Sequence, residues 1–211
     1  MNKQEIDYSL YLVTDRSLTL GRDLLFVIEE AILGGVTVVQ LREKNCSSRE
    51  FYDIALEVAT LTKKHGIPLI INDRMDIALA VKAEGLHIGQ SDLPYAIARE
   101  IMGSDAIIGL SVETVQDAID AESLDVDYLG ISPVFSTTTK TDTAQPLGYD
   151  GIRKIKSISS HKLVAIGGVN LANTANMINA GADGIAVVSA ICSADSPKQA
   201  SQLLIEAMRK S

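Results

Sequence analysis

Eight short runs rich in β-branched residues recur along this chain, at 10–13, 36–41, 68–71, 86–88, 106–109, 127–131, 163–166 and 184–188. Eight longer stretches with helical periodicity follow them in turn, at 24–33, 50–63, 75–81, 93–102, 115–121, 151–158, 171–179 and 198–210. Strict strand–helix alternation predicts a parallel sheet with helical crossovers. Eight such units in 211 residues predict closure into a (β/α)8 TIM barrel, at the short end of that architecture. Small-residue joints mark the returns from helix to strand: Gly34-Gly35, Gly66-Ile67-Pro68, Gly85 and Gly181-Ala182-Asp183-Gly184. No linker or low-complexity tract divides the chain, so a single domain is expected over 1–211.

Composition bears on what fills and what surrounds such a barrel. Apolar residues are 46 % of the sequence, aromatics only 4 %, and Trp is absent, so an aliphatic core is expected. The formal charge of −8 argues against a duplex-binding surface, which needs dense positive charge. Anionic ligands then have to be met by local cations and backbone N–H groups. The two cysteines, Cys46 and Cys192, have no metal-type spacing and read as free thiols in a reducing cytosol. Residues 1–7 are polar and lack the apolar stretch of a signal peptide. No apolar run approaches the roughly 20 residues that span a bilayer. The expectation is a soluble, cytoplasmic protein with no membrane or nucleic-acid partner. Its oligomeric state, homo-oligomer or monomer, is left open.

In a barrel of this kind the active site lies at the C-terminal ends of the strands. The second run ends in Gln40-Leu41-Arg42-Glu43-Lys44. Side chains alternate faces with period two, so Gln40 and Arg42 share a face and Lys44 can follow them. An amide and two cations converging on one place suit a phosphate group. The competing reading is a solvated strand exit with Glu43 paired to Arg42. Asn72-Asp73 ends the third run, and Gly89-Gln90-Ser91-Asp92 the fourth. Neighbouring parallel strands are about 4.8 Å apart, so Asp73 and Asp92 can share one cation, and oxygen ligands beside a phosphate suit Mg2+. Asp92 also stands where a helix N-cap would, as does Ser111 after the fifth run.

Gly167-Gly168 follows the seventh run, and Val188-Ser189 the eighth. These are the usual phosphate-binding loops of the architecture, where glycine lets the backbone approach and helix N-termini offer N–H donors. A long connection from Ser132 to Gly148 carries Lys140 and reads as a lid anchored by Val134 and Phe135. Two anion sites in one mouth imply two phosphorylated small-molecule substrates and therefore a transferase. His87 lies inside the fourth run and reads as structural.

Six segments, in order and each at a strand end, resemble the thiamine phosphate synthase family: YLVTD at 11–15, VVQLREK at 38–44, the run from Ile71 to Asp92, TTTK at 137–140, AIGGV at 165–169 and GADGIAVVSAI at 181–191. The resemblance covers nearly the whole chain. It implies an enzyme of thiamine biosynthesis that joins 4-amino-2-methyl-5-pyrimidinylmethyl diphosphate to a thiazole phosphate and releases pyrophosphate with the help of Mg2+. It implies pyrimidine diphosphate contacts from the segment Gln40, Leu41, Arg42, Glu43 and Lys44, with Asn72, Ser111 and Lys140. It implies thiazole phosphate contacts from Thr137, Thr138, Thr139, Gly168, Val188 and Ser189, and Mg2+ ligands at Asp73 and Asp92. Arg42, Lys44 and Lys140 are the groups expected to act on the departing diphosphate. Two positions depart from the family pattern. Ser132 and Ser136 stand where the family commonly carries Gly and Pro, and both touch backbone conformation rather than charge. The rival readings are a thiazole tautomerase, a non-catalytic thiazole phosphate-binding regulator of the same superfamily, and a sugar-phosphate isomerase barrel.

Overall fold

The structure is a computed structural model that describes residues 3–136 and 145–210. The eight runs form parallel strands: β1 (Leu10–Val13), β2 (Val38–Leu41), β3 (Leu69–Asn72), β4 (Gly85–Ile88), β5 (Ile107–Val112), β6 (Tyr128–Ile131), β7 (Lys162–Ile166) and β8 (Gly184–Val187). Each pairs with the next, and β8 pairs with β1 to close the barrel. Around it stand α1 (Leu24–Leu33), α2 (Ser48–His65), α3 (Met75–Val81), α4 (Tyr95–Met102), α5 (Val115–Ala121), α6 (Gly148–Ile158) and α7 (Leu171–Asn179). The last unit has two helices where the periodicity predicts one, a four-residue α8 (Ser189–Cys192) and then α9 (Pro197–Arg209). None of the helices among the described residues is long and apolar enough to cross a membrane.

Period-two alternation sorts every strand into an outer and an inner set. Leu10, Leu12, Val39, Leu41, Leu69, Ile71, Leu86 and Ile88 face outward and meet the buried stripes of the helices, such as Val27, Ile28 and Ala31 of α1. The buried part of that outer layer is mostly aliphatic, as composition predicts, with Phe51 on α2 its one buried aromatic among the described residues. The inner layer differs from the expectation. Tyr8, Tyr11 and Tyr128 fill it together with Val13, Val38, Ile70, Ile107, Val164 and Ala186. Register supplies the reason. Tyr128 lies beside Gly109, where an added Cβ would stand 2.1 Å from the Tyr128 ring, so one glycine provides the volume that a phenol occupies.

Helix ends follow ordinary capping chemistry. Ser47 caps α2 through the Glu50 N–H, Thr114 and Asp117 form a capping box on α5, and Asn170 and Asn173 form one on α7. The strand-5 expectation at 106–109 is too short. Pairing with β6 carries the strand to Val112 and takes Ser111 into it. The long β6–α6 connection is anchored at both described ends. Val134 N–H donates to Ile166 O (2.9 Å) and Phe135 N–H to Gly167 O (3.0 Å). On the return, Leu147 N–H donates to Pro133 O (3.0 Å) and Gly148 N–H to Val134 O (2.9 Å).

Candidate active site

The C-terminal mouth of the barrel holds a cavity of ≈ 440 Å3. The strand exits position its walls. Gln40 ends the inward phase of β2, Asn72 that of β3, and Ser111 that of β5, because side chains two apart share a face. Arg42 continues the phase of Gln40 past the strand end, where its backbone N–H donates to Thr14 Oγ1 (3.1 Å), and its side chain lines the cavity.

Leu41 and Glu43 fall in the opposite phase, and neither side chain lines the cavity. Leu41 is fully buried in the layer beneath the helices. The Glu43 carboxylate accepts from Arg16 Nε at 2.9 and 3.0 Å, with Arg16 reaching Glu50 as well. The Leu41 side chain is thus an outer-layer residue and the Glu43 side chain an anchor for Arg16. The competing pairing of Glu43 with Arg42 is replaced by the pairing with Arg16. Burial raises the Glu43 carboxyl pKa, and Arg16 opposes this in part. Asp15 also turns away, accepting from Ser17 N–H and Oγ to cap a short turn.

Asp73 and Asp92 come together at the exits of β3 and β4. Neither caps a helix. The residues at the N-termini of α3 and α4 are Arg74 and Pro94, without side-chain caps, and Asp92 Oδ2 accepts from Gly89 N–H in its own loop (2.7 Å). Asp73 adopts a left-handed backbone (φ 60°), pinned by its N–H donating to His87 O (2.9 Å). Its Oδ2 lies 2.5 Å from Lys44 Nζ. Burial raises the Asp92 carboxyl pKa. Gly89 N–H works against this, the Asp73 carboxylate adds to it, and Lys44 again lowers it. Two acids thus crowd one position beside a lysine. They can supply oxygen donors to a hard cation. No group of three or more His, Cys, Asp or Glu side chains suited to a metal occurs among the described residues.

The opposite wall is built from Gly167, Gly168, Val169, Val188 and Ser189. Gly167 and Gly168 have φ of 97° and 65°, and a Cβ on Gly168 would lie 2.8 Å from Phe135 Cβ. Only glycine lets the β7–α7 turn and the start of the β6–α6 connection share this space. The Gly168 carbonyl is held by Asn173 Nδ2 (2.8 Å). Ser111 is a strand residue and not a cap, its Oγ 2.8 Å from His87 Nε2. Thr137, Thr138, Thr139 and Lys140 lie outside the described residues.

The cavity is also lined by residues to which the sequence assigned no contact with a substrate. His87, read as structural, lines the cavity with Tyr11, Tyr128, Gln90 and Glu113. The signal was present in β4. Leu86 and Ile88 are outward and apolar, so the histidine between them has to point into the barrel.

Comparison with known proteins identifies the family. The family model described as thiamine monophosphate synthase matches residues 10–191. A thiamine-phosphate synthase of Clostridium tetani is 50 % identical over 204 residues, covering 97 % of each chain. One of Chloroflexus aurantiacus is 50 % identical over 199 residues, covering 94 % of this chain and 92 % of that one. A solved thiamine phosphate pyrophosphorylase from Pyrococcus furiosus superposes with a TM-score of 0.89 at 36 % identity, covering 97 % of both chains. With eight strands closed in sequence order, a family model matched over residues 10–191 and relatives matched over nearly the whole chain, this chain belongs to the thiamine monophosphate synthase family.

Proposed function

We propose that this enzyme joins a pyrimidinylmethyl diphosphate to a thiazole phosphate, forming thiamine phosphate and releasing pyrophosphate. One observation carries the reading: a single cavity has a cationic wall over two carboxylates and, across from it, a glycine and N–H wall suited to a phosphate. Two phosphorylated ligands can enter it together. A sugar-phosphate isomerase or a thiazole tautomerase would use the glycine wall alone and leave Gln40, Arg42 and Lys44 without a task.

The chemistry asks for little proton transfer. The C–O bond between the pyrimidine methylene and the diphosphate breaks, and the thiazole nitrogen forms the new C–N bond. The amino-substituted ring spreads the positive charge that develops on the methylene. Arg42 and Lys44, with Lys140, hold the departing diphosphate in a preorganised positive field. Gln40, Asn72 and Ser111 orient the pyrimidine portion. Gly168, Val188 and Ser189, with Thr137, Thr138 and Thr139, hold the thiazole phosphate. The long β6–α6 connection keeps water from capturing the charged methylene.

Asp73 and Asp92 fit Mg2+, because two crowded carboxylates beside a diphosphate give a hard cation its oxygen ligands. When bound, the ion neutralises charge on the leaving oxygens. A cytosolic setting suits the two thiols, Cys46 and Cys192, which stand unpaired.

The deciding assay mixes purified protein with both substrates, with and without Mg2+, and follows pyrophosphate and thiamine phosphate. Stoichiometric, Mg2+-dependent appearance of both products is expected. Binding of thiazole phosphate without release of pyrophosphate would instead identify a non-catalytic regulator.

A further inference from the structure

Inside the barrel, four side chains link the β2 wall to Ser111. Gln40 Nε2 donates to Tyr11 Oη (2.9 Å). Tyr11 Oη lies 2.7 Å from Tyr128 Oη. Tyr128 Oη lies 2.9 Å from His87 Nδ1, and His87 Nε2 lies 2.8 Å from Ser111 Oγ. We propose that this is a one-way hydrogen-bond chain, which leaves the Ser111 hydroxyl as a donor and so makes the cavity read an unprotonated ring nitrogen of the pyrimidine. The choice of ligand rests on the function proposed above; the direction of the chain does not.

The direction follows from counting protons. Each phenol has one, and burial raises the pKa of both Tyr11 and Tyr128, so both keep it. The Gln40 amide proton occupies an acceptor position on Tyr11 Oη. Tyr11 is 1 % exposed, and its own proton goes to Tyr128 Oη, the other polar side-chain atom within hydrogen-bond distance of it among the described residues. Tyr8 offers no alternative, since its hydroxyl has no hydrogen-bond partner among the described residues. The Tyr128 proton then goes to His87 Nδ1, which must present a lone pair. A neutral imidazole with an accepting Nδ1 carries its proton on Nε2. That proton points at Ser111 Oγ. The Ser111 backbone carbonyl already accepts from Gln90 Nε2 (2.7 Å). The hydroxyl proton of Ser111 is therefore left for the cavity.

The barrel is shaped around this chain. Gly109 makes room for the Tyr128 ring, and Gly130 lies where an added Cβ would stand 3.1 Å from His87 Cε1. His87 and Tyr128 stack with ring centres 5.6 Å apart, which fixes the imidazole plane. Tyr11, Tyr128 and His87 act through Ser111, so they are positioning residues for the ligand that Ser111 touches.

The test begins with 15N-histidine protein without substrates, at a pH of about 8, above the usual imidazole range. Two-bond nitrogen–proton correlations report the tautomer, and His87→Gln identifies the His87 signals. The Nε2–H pattern is expected; an Nδ1–H pattern in the wild type overturns the chain. The second arm is kinetic. Tyr128→Phe should raise KM for the pyrimidine diphosphate roughly tenfold, as expected for one hydrogen bond, and leave KM for the thiazole phosphate unchanged. In a Ser111→Ala background the same substitution should add nothing, because both act through one hydroxyl. Additive losses, or no change in KM, would refute the positioning role. A protein that makes no thiamine phosphate would end the functional reading, while the tautomer pattern would still decide the chain.

Discussion

Single side chains set the chemistry of the mouth. Asp73 is the most constrained of them, held by a left-handed backbone, a backbone bond to His87 O and the Lys44 ammonium. Asp73→Ala should lower activity by at least the order of a hundredfold, because charge neutralisation by a divalent ion is worth several kcal/mol. The Mg2+ titration of activity should move to higher concentration; an unchanged titration would remove Asp73 from the metal site. Glu43 illustrates the opposite case. It sits between two residues of the cavity wall in sequence but faces Arg16 in space. Glu43→Gln should cost about 1.5–3 kcal/mol in denaturant-measured stability, the range for a hydrogen bond to a charged group. A large fall in kcat with stability intact would return Glu43 to the reaction.

Elements decide where these side chains can reach. The β7–α7 turn needs two successive positive-φ residues packed against Phe135 and Pro133. Gly168→Ala should raise KM for the thiazole phosphate and also lower stability, by about 1–3 kcal/mol for a strained backbone. Thermal melts and initial rates together check this. An alanine variant with wild-type KM would show that the turn does not approach the ligand. In the β6–α6 connection, Lys140→Ala should reduce turnover while leaving the melting temperature close to wild type. Wild-type turnover in that variant would release Lys140 from its role.

At the scale of the whole molecule, closure depends on contacts between the first and last units. Arg22 extends from the β1–α1 loop to the carbonyls of Cys192 and Ala194 at 2.8 and 2.7 Å, so one guanidinium bridges the ends of the chain. Asp183 serves the β7–β8 seam. Its carboxylate accepts from Leu163 N–H (2.9 Å) and Lys156 Nζ (3.0 Å). Burial alone would raise its pKa, but those donors outweigh burial and hold it below the ordinary value. A depressed carboxyl contributes stability above its unfolded pKa, about 3.9 for Asp, and loses it as pH falls through the folded value. Asp183→Asn should therefore be less stable than wild type at pH 7, with the gap narrowing below a pH of about 4. Urea midpoints across that range test it; a gap that persists in acid would show that charge is not the cause.

The barrel was readable from the chain alone, because local periodicity dictates which segments are strands and which are helices, and eight alternations leave few ways to bury both sheet faces. Gln40, Arg42 and Lys44 could be placed at one exit for the same reason, since spacing by two keeps side chains on one side of a strand. What needed the tertiary structure was everything that depends on which strands are neighbours and how they are staggered. Tyr11, Tyr128 and His87 are far apart in the chain, and only the closed register brings their polar atoms within hydrogen-bond reach. Glu43 could not be assigned either, because Arg16 reaches it from another unit. Local sequence determines the direction in which a side chain points; the packing of distant units determines what it meets there.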